Sequence, residues 1–286
     1  MRPRALGQRG YSVTLAEATD QMGGRLVHER ALPGLAEWGR VVDHRTYMIS
    51  QMANVHTYLE SPLDATQVQE FEADHVVVAT GSRWCAQGIG RANPTGIEMA
   101  QGAQILTPND IFKGAKAQGP VVIFDDDHYY MGGLLAEKLR GEGHEVALVT
   151  PASIASAWTV DTLEQHVIQT KLMEMGVNVI TSQNISKIAP GQVTLSCVYT
   201  GAETTLECGA ALLVTMRVPV DDLYTDLTQS KVKSLTRIGD VLAPGTIAAA
   251  VHSGHLFARE LNEPDKGNVP FDRELSELSA HFPQGV

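Results

Sequence analysis

Residues 121–150, VVIFDDDHYYMGGLLAEKLRGEGHEVALVT, constrain this chain more than any other stretch. Residues 121–124 form an apolar run suited to a buried strand. Residues 134–140 repeat apolar side chains at helical spacing, Gly141 and Gly143 close that helix, and residues 145–149 make a second apolar strand. Strand, turn, helix and strand in this order frame a dinucleotide site. Such a site needs a glycine-rich turn before the helix, so that the backbone can approach a pyrophosphate lying on the helix N-terminus. Here the turn reads Asp125, Asp126, Asp127, His128, Tyr129 and Tyr130. Three carboxylates repel a pyrophosphate and two tyrosines fill its space. The second strand ends at Thr150, where a ribose-binding acid is expected. The sequence therefore predicts a nucleotide-binding fold that does not bind NAD in the usual way. One acid is expected to cap the helix at Met131 or Gly132, with the others facing solvent.

Composition narrows the class. The 286 residues are 43 % apolar and 19 % charged, which suits a globular α/β protein. A net charge of −11, with no basic stripe, argues against a nucleic-acid partner. No apolar run reaches the length of a membrane span and no leader-like segment is recognised, so a cytoplasmic location without membrane contact is expected. Cys85, Cys197 and Cys208 form no CxxC pair, so neither zinc nor an iron–sulfur cluster is expected from this chain alone. His252 and His255 lie three apart, but no acid or cysteine completes a metal set. Ser82 and Ser253 lack a GxSxG elbow. No catalytic residue is expected.

Upstream, residues 1–10 read as the tail of a helix, residues 11–16 as a strand, and residues 38–52 as a helix. Residues 55–72 suggest a small meander leading to an apolar strand at 75–79. Residues 82–118 form a connector with a short helix near 109–112. Downstream, residues 160–175 read as a helix, 177–181 as a strand, 185–209 as antiparallel strands, 211–215 as a buried strand and 246–261 as a last helix. Two α/β units, each followed by antiparallel strands, predict two Rossmann-like nucleotide-binding domains, the second inserted in the first. The expected boundaries are 1–117 with 210–262, then 118–209, and a polar tail at 263–286.

Four marks along the first unit point to an adenine nucleotide. Glu17 ends a strand, where an acid can accept both ribose hydroxyls; a strand-end acid can equally be a surface carboxylate. Gly23 and Gly24 follow, letting the backbone pass close to a ligand, with Arg25 beside them. Residues 76–81 (VVVATG) are a buried strand ending in a tight turn at Thr80 and Gly81. Gly239-Asp240 places an acid ahead of the last helix, where it can position a ribose or phosphate or simply cap that helix.

The order of these marks resembles the FAD-binding fold of disulfide-reductase-type flavoproteins. More narrowly, ALPGLAEWGRVVDHR, VVVATGSRW, DDDHYYMGGLLAEKL, LLVTMRVP and IGD…AP…SGHLFARE are similar to the C-terminal region of the trimethylamine, dimethylamine and histamine dehydrogenase family. The resemblance runs from Ala5 to about Asn262. It implies ADP or FAD held by Glu17, Gly23, Gly24, Arg25, Thr80, Gly81 and Asp240. It also implies a parent protein in which an N-terminal FMN barrel and a [4Fe–4S] cluster oxidise an amine or N-methyl compound and pass electrons to an electron-transfer flavoprotein. In that family the first nucleotide domain opens with a strand and a GxGxxG turn, and this sequence begins beyond that point. The chain is therefore expected to be a fragment of a longer reading frame rather than a degenerate subunit. Weak or absent nucleotide binding is expected of it alone. The alternatives are a stand-alone interaction module of the same fold and a small NAD(P)H-dependent flavin oxidoreductase.

Overall fold

The computed structural model describes residues 3–263. The polar tail expected at 263–286 lies outside the described residues except for Glu263.

The largest element is a five-stranded, all-parallel sheet. Its order is Ile105–Leu106, Ala210–Val214, Val121–Asp125, Val146–Val149, Asn178–Ile180. Its side chains alternate between two cores. Val121, Ile123, Leu148, Leu212 and Val214 face one side with Leu135, Leu139 and Leu172, which come from helices Tyr130–Gly141 and Gln165–Glu174. Val122, Phe124, Val149, Ala211 and Leu213 face the other, against Ile185, Ile188, Val193 and Leu195 of a second sheet. That second sheet runs Glu203–Glu207, Gln192–Cys197, Gln183–Ala189, Glu98–Met99. Its three long strands are antiparallel, as the alternation in sequence predicts, and the short one joins in parallel.

Three sequence expectations need correction here. Its place in sequence assigns Ala210–Val214 to the first unit. It lies beside Val121–Asp125 in the second, with Leu212 opposite Ile123, and Ile105–Leu106 joins it. All five residues of Ala210–Val214 are buried, so only an interior strand covered on both faces accommodates them. The second unit thus extends beyond residues 118–209 on both sides. The meander expected at 55–72 is instead one strand, Val55–Tyr58, and a helix, Ala65–Glu70. That helix starts with a capping box, in which Asp64 accepts the Gln67 N–H and the Gln67 side chain accepts the Asp64 N–H. The helix expected at 160–175 is also broken, since Leu163 turns left-handed (φ 62°) ahead of Gln165–Glu174.

The first unit is built differently. Val13–Ala16 pairs in parallel with Val55–Tyr58, and Val76–Val78 pairs in parallel with Leu235–Arg237. Among the described residues no strand joins the two pairs. Their apolar contacts are separate as well. Leu6, Ala258 and Leu261 gather with Tyr11 and Val13, while Val78, Leu227 and Val241 gather with Val76 and Leu235. Helix Ile247–Glu260 closes the unit, capped by Thr246, which accepts the Ala249 N–H at 3.2 Å. Among the described residues no helix is long and apolar enough to cross a membrane.

Candidate functional site

Strand Leu235–Arg237 runs into a tight turn, Gly239–Val241, which Gly239 enters at φ 64°. The turn presents Asp240 to a network of cations. Asp240 Oδ2 accepts a 2.6 Å hydrogen bond from Arg217 and a 3.1 Å bond from the Ser82 hydroxyl, and Arg25 Nε stands 3.3 Å away. Asp240 Oδ1 accepts the Gly245 N–H at 3.3 Å. Arg217 and Arg25 both donate to the Gly245 carbonyl, at 2.7 and 2.9 Å. Arg25 also grips both oxygens of Glu29, at 2.7 and 2.9 Å. Glu29 is 1 % exposed; burial pushes its carboxyl above the usual range, and the Arg25 charge opposes that rise. Burial holds the Arg217 guanidinium below its ordinary value, and the Arg25 charge adds to the effect.

Three of the four sequence marks therefore converge on one carboxylate: the segment after the glycine pair through Arg25, the bend after Thr80-Gly81 through Ser82, and Asp240 itself. Gly24 (φ 56°) and Gly81 (φ 81°) each adopt a left-handed backbone, and a Cβ built on either would meet nothing within 4 Å. Open space borders both, as a backbone that must approach a ligand requires. Gly23 (φ 131°) is tighter, with Val42 3.0 Å from where its Cβ would stand. The Thr80 hydroxyl donates to the Val220 carbonyl, and Gly81 accepts the Val220 N–H at 3.0 Å.

Glu17 stays apart. Its carboxylate accepts the Thr19 N–H at 3.0 Å and the Thr19 hydroxyl at 2.9 Å, closing its own turn. Among the described residues none of its hydrogen bonds reaches the Thr80-Gly81 bend or Asp240. Sequence reasoning missed Arg217, Glu29 and the part played by Ser82. Arg217 follows a buried strand by three residues and carried no motif of its own, and Ser82 was weighed only as a nucleophile.

At the carboxyl end of the five-stranded sheet the acidic turn departs from expectation. Asp125 and Asp126 are 0 % and 1 % exposed, and neither caps the helix. Tyr130–Gly141 begins after Tyr129 without a side-chain cap. Asp125 instead accepts the His128 N–H at 2.9 Å and lies against Gly132, where a Cβ would stand 2.5 Å from its carboxyl carbon. Asp126 accepts the Ala92 N–H at 2.9 Å. Burial, then the Asp127 charge, push the Asp125 carboxyl up to about 7. Burial also raises Asp127, against the pull of Arg217 and Arg91. Asp125 and Asp126 fold inward because the His128 and Ala92 N–H groups replace water as their donors, while the Trp158 N–H fastens the loop above to the His128 carbonyl.

Fold and site together define an α/β protein with parallel sheets, and residues 106–213 match the OYE-like second alpha/beta domain. Its relatives include dimethylamine dehydrogenase and histamine dehydrogenase. Over 305 aligned residues and 95 % of its length, the chain is 30 % identical to dimethylamine dehydrogenase of Hyphomicrobium sp. (strain x), covering 41 % of that protein. Histamine dehydrogenase from Rhizobium sp. 4-9 superposes with a TM-score of 0.90 at 43 % identity, over 96 % of this chain and 44 % of that one. The 6-hydroxypseudooxynicotine amine oxidase of Pseudomonas geniculata N1 gives 0.87 at 38 % identity, over 91 % and 40 %. The chain is thus homologous to part of the dimethylamine and histamine dehydrogenases, and it spans about two fifths of the length of these relatives.

Proposed function

We propose that this chain is the nucleotide-holding module of an amine or N-methyl-compound dehydrogenase of the FMN and [4Fe–4S] type, built from two Rossmann-like units of the disulfide-reductase kind. ADP or FAD would be held by the first unit, with Gly24, Gly81 and Arg25 along its phosphate and sugar, and Asp240 and Glu17 toward its hydroxyls. Bound FAD or ADP would supply affinity and order to this unit; the oxidation belongs to a barrel outside these residues, which would hand electrons to an electron-transfer flavoprotein.

The carrying observation is the convergence of Arg25, Ser82 and Asp240 beside two glycines that leave open space. The separation of the two strand pairs supports a further point. A parallel strand with a glycine-rich turn, inserted between them, would join their apolar clusters and bring the backbone donors a diphosphate needs. Calorimetric titration with ADP is the test, on this chain and on a version extended N-terminally with a strand and GxGxxG turn. We expect weak or no binding by the first and clear binding by the second. An extended protein that folds and retains no adenine nucleotide overturns the reading.

A stand-alone interaction module is the second reading. It is favoured by Leu163, 90 % exposed, in a stretch that also exposes Trp158 and Val167. Absence of nucleotide from the extended protein, together with a stable complex formed by the unextended chain, would select it.

A further inference from the structure

The acidic turn of the second unit is buried, charged and incompletely satisfied. Asp125 Oδ1 accepts the His128 N–H, while Asp125 Oδ2 is buried without a hydrogen-bond partner. Asp126 Oδ2 is held by the Ala92 N–H, and Asp126 Oδ1 is likewise without a hydrogen bond, with His128 Nε2 3.4 Å away. His128 itself is left-handed (φ 63°), and its Nδ1 lies 3.3 Å from the Thr150 hydroxyl. Its carbonyl accepts the Trp158 N–H at 2.9 Å. One carboxyl group thus anchors a strained turn, and that turn in turn anchors the loop over it.

The charges around Asp125 are few. Asp126, Asp127 and His128 share its turn. Residues 90–92 bring Arg91, whose guanidinium lies 3.8 Å over the Trp158 ring and acts on Asp127. Strand Arg217–Pro219 brings Arg217, which also acts on Asp127. The strand end at Thr150 and the loop at Ser156 bring hydroxyls, and the helix start brings Gly132 and the paired rings of Tyr129 and Tyr130.

We propose that Asp125 is a proton-operated latch: while Oδ2 carries a proton, residues 126–129 stay clamped across the carboxyl end of the five-stranded sheet, and loss of that proton releases them. An ionised Asp125 would leave a bare charge on a buried, donorless oxygen beside two further carboxylates. Outward movement of the turn rehydrates that charge and relieves the left-handed His128, at the cost of the His128 and Trp158 amide bonds. The position of the carboxyl on the pH scale places the change near neutrality. This inference is independent of what the first unit binds.

Hydrogen exchange of the His128 and Trp158 amides in the full chain, corrected for intrinsic rates, reads the latch directly. Protection should fall by up to about tenfold per pH unit between about pH 4 and about pH 7 and level off above that, whereas Asp125→Asn should hold it constant. Wild-type protection that stays flat, or that falls equally in D125N, overturns the proposal. Should D125N fail to fold, infrared difference spectra of the native chain decide. A carboxylic-acid band that bleaches together with loss of the two amides supports the latch. No such band, or a bleach at a different pH from the amides, refutes it.

Discussion

Arg217 and Asp240 meet at 2.6 Å with side chains only 12 % and 9 % exposed, and the pair ties the strand Arg217–Pro219 to the turn Gly239–Val241. A charge pair this sheltered is held by its partners more than by water. Removing one member leaves the other stranded, which costs about 3 kcal/mol for a buried pair. Arg217→Met should therefore lower the unfolding free energy obtained from urea curves by about that amount, as a lower midpoint at unchanged slope. Arg25, 3.3 Å from Asp240, would offset part of the loss, so R25M/R217M should cost more than the two single changes added together. A double variant that is merely additive would show that Arg25 takes no share of the Asp240 charge.

Stability should fall as pH rises through the acid to neutral range. Burial raises both Asp125 and Glu29, so the folded chain holds these protons more tightly than the unfolded chain, whose acids titrate near ~4. Between that value and about 7 the folded state binds more protons, and the slope of stability with pH is negative. The contribution is complete below the unfolded value and lost as pH passes the folded one. Denaturant curves at about pH 5 and about pH 8 should show the wild type losing stability relative to D125N, by on the order of a few kcal/mol. A constant difference between the two proteins would place Asp125 in its ionised form throughout.

Two glycines of one helix should respond with opposite signs. A Cβ on Gly132 would stand 2.5 Å from the Asp125 carboxyl carbon, and neither group has room to retreat. Gly132→Ala should cost about 1–3 kcal/mol by overpacking. A Cβ on Gly141 meets nothing within 4 Å, so Gly141→Ala should stabilise by up to about 1 kcal/mol through helix propensity. Thermal melts of the two variants separate the outcomes.

In a form of the protein that holds nucleotide, Glu17→Gln should weaken ADP about tenfold, the loss of one charge-assisted hydrogen bond to a ribose. Thr19 already satisfies this carboxylate, so folding should be unaffected by more than about 1 kcal/mol. Calorimetric titration of the variant reports the first effect and its melting curve the second. An affinity equal to wild type would remove Glu17 from the site.

Much of the second unit was legible in sequence because apolar runs such as 121–124 signal buried strands wherever they fall. Which neighbour such a strand takes was not legible. Ala210–Val214 is as apolar as Val121–Asp125, and nothing local says that the two lie side by side across an insertion of some eighty residues. The acidic turn stands out in sequence, yet its direction is not legible there. Three consecutive aspartates look solvent-facing until the Ala92 and His128 amides that receive them are in place. In the first unit the glycine marks and Asp240 were readable because they depend on short-range backbone rules. Arg217 was not, because an arginine announces no partner until the fold brings one.

The two units differ in how their interiors are enclosed. The five-stranded sheet is sealed by apolar layers above and below, while among the described residues the two strand pairs of the first unit rest on two separate small clusters of side chains. On heating, the sealed sheet should outlast the rest. The chain would then melt in two calorimetric steps, with about half of the ordered backbone still standing after the first.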